Sequence, residues 1–171
     1  MSSDNVDVKK HMRHIGKMLK ITPDYEHLQH ICLFRMTRGS DAVVYTDIHR
    51  DGPIYAGVCY LNTPEQCSGG TSFYRHKRTG LQMWPTRRQV KELIAKGKLP
   101  KGVTGDKTAI EFWEEEGRDR SKWEQTLFVP MVFNRALFYP GNQFHTMSGW
   151  KEFGETQDTA RMTLIYSFHE L

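Results

Sequence analysis

No stretch of this chain is apolar for long enough to form a bilayer-spanning helix. The longest nearly apolar run is Leu127-Phe128-Val129-Pro130-Met131-Val132-Phe133, against the roughly 20 residues such a helix needs. Ser2–Lys20 is polar and charged and lacks the apolar centre of a secretory leader, so the expected location is cytoplasmic. Cysteine is scarce. Cys32, Cys59 and Cys67 are odd in number and lack the paired spacing of a zinc site, which argues against a disulfide scaffold and fits free thiols in a reducing compartment. There is no internal repeat and no low-complexity tract. Acidic residues are nearly absent between Arg75 and Lys101, where nine Lys and Arg side chains stand beside Glu92 alone. Such a stretch can attract an anionic partner such as nucleic acid; the plainer reading is a solvated loop and helix face. The sequence pI of about 9.0 only reaches the value of about 9 associated with basic nucleic-acid-binding domains.

What is present suits one globular domain over 1–171. Hydrophobic residues make up 38% and charged residues 26% of 171, enough for a sizeable core and too apolar for a disordered chain. Residues 1–30 read as a polar, partly helical lead-in. Strand-like segments follow at Ile31–Thr37, Ala42–Ile48, Ile54–Asn62 and Thr71–Arg75, with a turn signal at Asp51-Gly52-Pro53. Over 85–125 the pattern becomes helical, with helix formers and spaced apolar residues at Thr86–Lys96 and Thr108–Gln125. Strands return at Leu127–Phe133, Ala136–Tyr139 and Ala160–Phe168. Many short strands with turns between them predict a mainly β sandwich or barrel of the jelly-roll kind, with N-terminal and inserted helices.

The chemistry-bearing feature is His49-Arg50-Asp51. On extended backbone residues i and i+2 share a face, so His49 and Asp51 can reach one metal ion. Alone, this pair is common. His145 is the best third ligand, because it follows the segment Ala136–Tyr139 and the turn Pro140-Gly141-Asn142. His11 with His14, and His27 with His30, have helical i, i+3 spacing but lie in the polar lead-in. His76 sits among cations, and His169 near the end reads as ordinary. Two His and one carboxylate leave coordination positions free on one side of a metal, as non-haem iron(II) chemistry requires; catalytic zinc sites use the same donors.

From about Val44 to Phe168 the chain resembles the 2-oxoglutarate/Fe(II)-dependent oxygenase superfamily, nearest to its prolyl-hydroxylase-like branch and to small uncharacterised bacterial and phage proteins within it. The resemblance rests on the order His49-Arg50-Asp51, Tyr60-Leu61-Asn62, Gly69-Gly70-Thr71-Ser72-Phe73, His145, then Arg161-Met162-Thr163. It implies a double-stranded β-helix, also called a jelly-roll or cupin-like fold. It implies iron(II) on His49, Asp51 and His145, with 2-oxoglutarate and O2 as co-substrates and hydroxylation as the reaction. It assigns the distal carboxylate of 2-oxoglutarate to Arg161, whose guanidinium is an always-charged bidentate partner, helped by Thr163 and Tyr60. Tyr45 is a further residue able to touch the co-substrate. A protein or peptide, such as a prolyl residue, is slightly favoured as prime substrate over a nucleic acid or nucleotide base, and a small metabolite stays open. The alternatives are a non-catalytic jelly-roll binding module and a zinc hydrolase on a similar barrel. Aromatic residues near the motifs, Trp84, Tyr139 and Phe144 among them, are candidates for a pocket lining. Trp113 and Trp123 are expected to pack the helical insertion down or to cover the mouth.

Overall fold

Along the last strand the side chains alternate between two environments, and that alternation organises the molecule. The computed structural model describes residues 8–21, 32–42 and 47–169. The strands are β1 (Cys32–Thr37), β2 (Tyr55–Tyr60), β3 (Gly70–His76), β4 (Trp123–Pro130), β5 (Ala136–Pro140), β6 (His145–Ser148) and β7 (Arg161–Phe168). They form two antiparallel sheets, one in the order β1-β7-β2-β5 and one in the order β4-β3-β6. On β7, Arg161 and Thr163 are buried on one face, while Tyr166 and Phe168 belong to a cluster on the other.

That second face is covered by helix α1 (Val8–Leu19). Met12, Ile15 and Leu19 recur at helical spacing and pack against Cys59, Tyr166 and Phe168. Full burial of Met12 and near-full burial of Ile15 contribute about 1.5–3 kcal/mol each. A short helix, α2 (Gly39–Ala42), follows β1. Two longer helices, α3 (Arg87–Ala95) and α4 (Asp106–Arg118), lie between β3 and β4 in the chain. The start of α3 is fixed by a reciprocal cap: Thr86 Oγ1 accepts from the Gln89 amide, and Gln89 Oε1 accepts from the Thr86 amide. Trp113 of α4 is buried with Trp123, Phe144, Ile48 and Leu93, so Trp113 and Trp123 are core residues. Among the described residues no helix is long and apolar enough to cross a membrane, and Cys32, Cys59 and Cys67 are free thiols.

Three expected elements differ. The strand expected over Ala42–Ile48 is not formed in its described parts: Ala42 closes α2 and Ile48 gives its amide to the Gly117 carbonyl of α4 rather than to a strand. Residues 43–46 lie outside the described residues. The helix expected over Thr108–Gln125 stops at Arg118, because Asp119 Oδ1 captures the Ser121 amide and hydroxyl. Beyond that turn Trp123, Glu124 and Gln125 pair with His76, Arg75 and Tyr74; cross-strand pairing overrides their tolerance of helix. For the same reason the strand expected at Leu127–Phe133 begins earlier and ends at Pro130.

Candidate metal centre

His49 and His145 face each other across a pair of backbone hydrogen bonds, each donating its amide to the other's carbonyl at 3.0 Å. Directly opposed residues of an antiparallel pair project their side chains to the same side, and the two imidazole centroids are 4.6 Å apart. Asp51, two residues on, gives its amide to the Gly141 carbonyl at 2.7 Å. Its carboxylate then falls 3.9 Å from His49 Nε2 and 3.4 Å from His145 Nε2. One ligand atom from each of the three residues lies within 4.8 Å of the others. The structure thus brings together the residues expected as metal ligands.

Glycine makes this approach possible at two points. A Cβ on Gly117 would strike the Ile48 carbonyl, and one on Gly141 would strike the Pro53 carbonyl. Backbone against backbone, α4 and the β5–β6 turn clamp the His49–Asp51 segment from two sides.

Each imidazole is held by its other nitrogen. His49 Nδ1 donates to the Asp47 carbonyl and His145 Nδ1 donates to the Gln143 carbonyl, both at 2.8 Å. A carbonyl only accepts, so the proton sits on Nδ1 and the Nε2 lone pair faces the cluster, as in sites where an outer partner orients a metal ligand. Desolvation and the neighbouring His145 hold the His49 pKa below its ordinary value. Burial raises the Asp51 pKa, but the hydrogen bond and charge that His145 offers in its protonated form, with His49 and Tyr139, outweigh it and leave the carboxyl below its usual range. A neutral imidazole beside a deprotonated carboxylate is the form that binds a metal. The His145 side chain is 6% exposed and that of His49 45%, so the centre opens to solvent on the His49 side.

A cavity of about 170 Å³ adjoins the cluster. His49, Asp51 and His145 line it together with Arg161, Thr71 and Tyr139. Arg161 is 6% exposed, and its Nε has no hydrogen-bond partner. Its guanidinium lies 5.5 Å from the Tyr60 ring and 5.7 Å from the Phe153 ring. The largest electrostatic influences on it come from Tyr60, Arg35 and Tyr139, including a hydrogen bond with Tyr60. Burial lowers its pKa, yet a guanidinium stays charged in proteins.

The other residues expected at the co-substrate do not line this cavity. Thr163 Oγ1 donates to the Arg35 carbonyl at 3.3 Å. Tyr60 is fully buried, and its hydroxyl is 2.8 Å from Thr71 Oγ1. Tyr60 therefore reaches the cavity through Thr71, a residue the sequence reading passed over inside the Gly-Gly element. Tyr45, His27 and His30 lie outside the described residues. Tyr139 was foreseen only as a pocket aromatic. Its hydroxyl is 3.3 Å from Asp51 Oδ2 and 3.1 Å from His145 Nε2, and burial with the Asp51 charge raises its pKa well above the ordinary value. Arg35 also lines the cavity. Nothing but strand register could identify it, since it stands opposite Thr163, which stands opposite Tyr60.

His11 and His76 have other partners. His11 Nε2 contacts the Tyr166 hydroxyl at 3.1 Å. His76 is fully buried, with Nε2 on Glu116 at 2.8 Å and Nδ1 on Thr79 at 2.9 Å. In the basic stretch several charges are compensated: Arg75 by Glu124, Arg78 by Glu116, Arg87 by Asp106 and Arg88 by Glu92.

The model of DUF6445, a family of unknown function, matches residues 43–168. The match spans His49, Asp51, His145 and Arg161 and also α3 and α4, and leaves out α1, β1 and α2. Among curated proteins none matches.

Proposed function

The chain belongs to DUF6445, a family of unknown function, and we propose that it is an iron(II)- and 2-oxoglutarate-dependent dioxygenase that hydroxylates its substrate. The observation that carries this reading is the pairing of two features in one cavity: a His-Asp-His ligand cluster and a buried arginine whose Nε is unpartnered.

The donor set fits the metal. Two imidazoles and one carboxylate are the ligand types of non-haem iron(II) centres that bind a bidentate co-substrate and dioxygen together. The arginine fits the co-substrate, because a buried guanidinium with an unpartnered Nε, and with no ion pair among the described residues, calls for a carboxylate. His49, Asp51 and His145 would hold the iron, and Arg161 would bind the distal carboxylate of 2-oxoglutarate. When bound, iron and 2-oxoglutarate supply the oxidation, in which one oxygen atom of O2 enters the substrate as hydroxyl and the other enters succinate, with release of CO2.

The protein's own residues supply geometry. The Asp47 and Gln143 carbonyls keep both Nε2 atoms unprotonated and aimed. Val58, Ala56 and Ile165 make part of the cavity wall apolar, which limits water and strengthens the charge contact to Arg161. Thr71, held by Tyr60, offers a hydroxyl. We read the two sheets as halves of a jelly roll. The chain changes sheet between β2 and β3, and again at each connection from β4 to β7, and the His49–His145 pair continues the smaller sheet by one bridge. A cytoplasmic site of action belongs to the same reading, supported by the free cysteines.

A zinc hydrolase would use the same three ligands but gives no reason for a buried guanidinium beside them. The partly compensated charge of the basic stretch weakens the case for a nucleic-acid substrate or for a non-catalytic basic binding module.

The test is an anaerobic titration with iron(II) and then 2-oxoglutarate, following the weak visible charge-transfer band of the chelate, with His145→Ala as control. A band in wild type that is absent from the variant supports the reading. Retention of zinc, with neither iron nor 2-oxoglutarate bound, overturns it.

A further inference from the structure

A second cavity meets the ligand cluster from another side. It has a volume of about 230 Å³ and shares His49 and Asp51 with the first, but His145 and Arg161 are not in its wall. Helix α4 supplies Ile110, Trp113 and Glu114, whose i, i+3, i+4 spacing sets them on one helix face. Trp84, Phe144 and Arg50 also line it.

The wall is aromatic and braced. The Trp113 and Phe144 rings are 5.1 Å apart, Trp84 lies 6.4 Å from Phe144, and both Trp113 and Phe144 are almost fully buried. Arg50 stacks over Trp84 with its guanidinium carbon 4.1 Å from the ring centroid. Stacking uses the π face of the guanidinium and leaves its in-plane N–H groups available. Glu114 is exposed on the same cavity. Neither Arg50 nor Glu114 has an ion-pair partner among the described residues, whereas Arg87 and Arg88 of α3 are paired at 2.8 and 3.0 Å.

A cation and an anion unpaired at an apolar cavity select a small zwitterion with an apolar side chain. The volume lies under the roughly 300–1,000 Å³ of sites for drug-sized ligands. A residue inside a peptide carries neither main-chain charge, and a nucleic acid would set phosphate against Glu114. We propose that this cavity receives the prime substrate and that the substrate is a free apolar α-amino acid. Its carboxylate is held by Arg50 and its ammonium by Glu114, with the side chain against Trp113 and Phe144. The inference rests on the oxygenase reading for what happens to the substrate, but the binding itself does not require turnover.

The test is calorimetric titration of the full chain carrying Mn(II), with free leucine, isoleucine, methionine and phenylalanine, and with the N-acetyl amides of the same residues. Binding of 2-oxoglutarate is measured in the same preparations. At least one free amino acid should bind. Its blocked form should bind about 100-fold more weakly, for two charge contacts worth about tenfold each. Glu114→Gln, an exposed change that leaves the core untouched, should weaken the free amino acid about tenfold, and Arg50→Gln should act in the same direction. If 2-oxoglutarate binds and none of the free amino acids does, or if blocked forms bind as well as free ones, the inference is overturned and a peptide becomes the better candidate. If an amino acid binds and 2-oxoglutarate does not, the cavity assignment stands and the oxygenase reading falls. If neither binds, both fall.

Discussion

Replacing Arg161 by Met separates a structural arginine from a co-substrate anchor, because the two roles predict opposite results. Arg161 is 6% exposed with an unpartnered Nε, and an unsatisfied buried polar group costs about 1–3 kcal/mol. The cation–π contacts with Tyr60 and Phe153 return about 1–2 kcal/mol. Methionine keeps much of the volume and removes both terms. The ligand-free variant should therefore be as stable as wild type or more stable by up to about 2 kcal/mol. For a domain of this size that is a rise in Tm of up to about 6 °C. Losing the partner of a buried carboxylate costs about 2–5 kcal/mol of binding, a factor of about 30 to several thousand in affinity for 2-oxoglutarate. At a concentration near 100 times its Kd, 2-oxoglutarate stabilises wild type by about 2.7 kcal/mol. The same concentration should stabilise Arg161→Met by less than about 1 kcal/mol. Thermal denaturation with Mn(II), with and without 2-oxoglutarate, reads both quantities. A variant that melts about 8 °C or more below wild type, yet keeps its full response to 2-oxoglutarate, refutes the assignment and makes Arg161 part of the core.

Gly117→Ala drives a methyl into the Ile48 carbonyl; it should cost about 1–3 kcal/mol in urea denaturation and weaken metal binding by shifting His49, while unchanged metal affinity would show that α4 does not position that ligand. Tyr139→Phe removes the hydroxyl that contacts Asp51 and His145 Nε2. A hydrogen bond worth about 1 kcal/mol that competes with the metal should disappear, so metal binding should tighten about fivefold by competition with a chelating dye; weaker binding would mean the hydroxyl supports the loaded site. Stability should fall with acid through His76 and Glu116. Burial lowers the His76 pKa against the opposing pull of Glu116. Burial raises that of Glu116, but its hydrogen bonds to Lys122 and His76 prevail and lower it. Both groups bind protons more readily unfolded, so the His76 contribution is complete above its unfolded pKa of about 6.5 and is lost as pH drops through the folded value, with Glu116 following below about 4.5. The urea midpoint should be lower at pH 5.5 than at pH 7.5, and His76→Gln should flatten that dependence; an equally steep dependence in the variant would clear His76.

The candidate ligands were legible because their signals are local. His49 and Asp51 are two residues apart on extended backbone, and His145 stands just past a turn, so side-chain alternation and the order of motifs named all three. The strands β2, β3, β5 and β7 were legible for the same reason, since β-branched and aromatic runs between turn residues need no distant partner to be recognised. Where sequence reading went astray, a long-range contact decided the outcome. Ala42–Ile48 has the composition of a strand, but α4 takes the Ile48 amide. Trp123–Gln125 tolerates helix, but β3 takes it as a neighbour. Thr163 shares a face with Arg161, as alternation requires, but its hydroxyl goes to Arg35 on the adjacent strand. By itself the sequence determined which residues are able to bind a metal and which arginine is able to meet a carboxylate, because those are properties of side-chain chemistry and nearest-neighbour geometry. Only the tertiary structure decided that Arg161 is buried with no ion pair among the described residues, that Tyr139 and Thr71 share its cavity, and that α4 walls a second cavity against His49. Burial and cross-sheet register arise from segments far apart in the chain, and no local pattern records them.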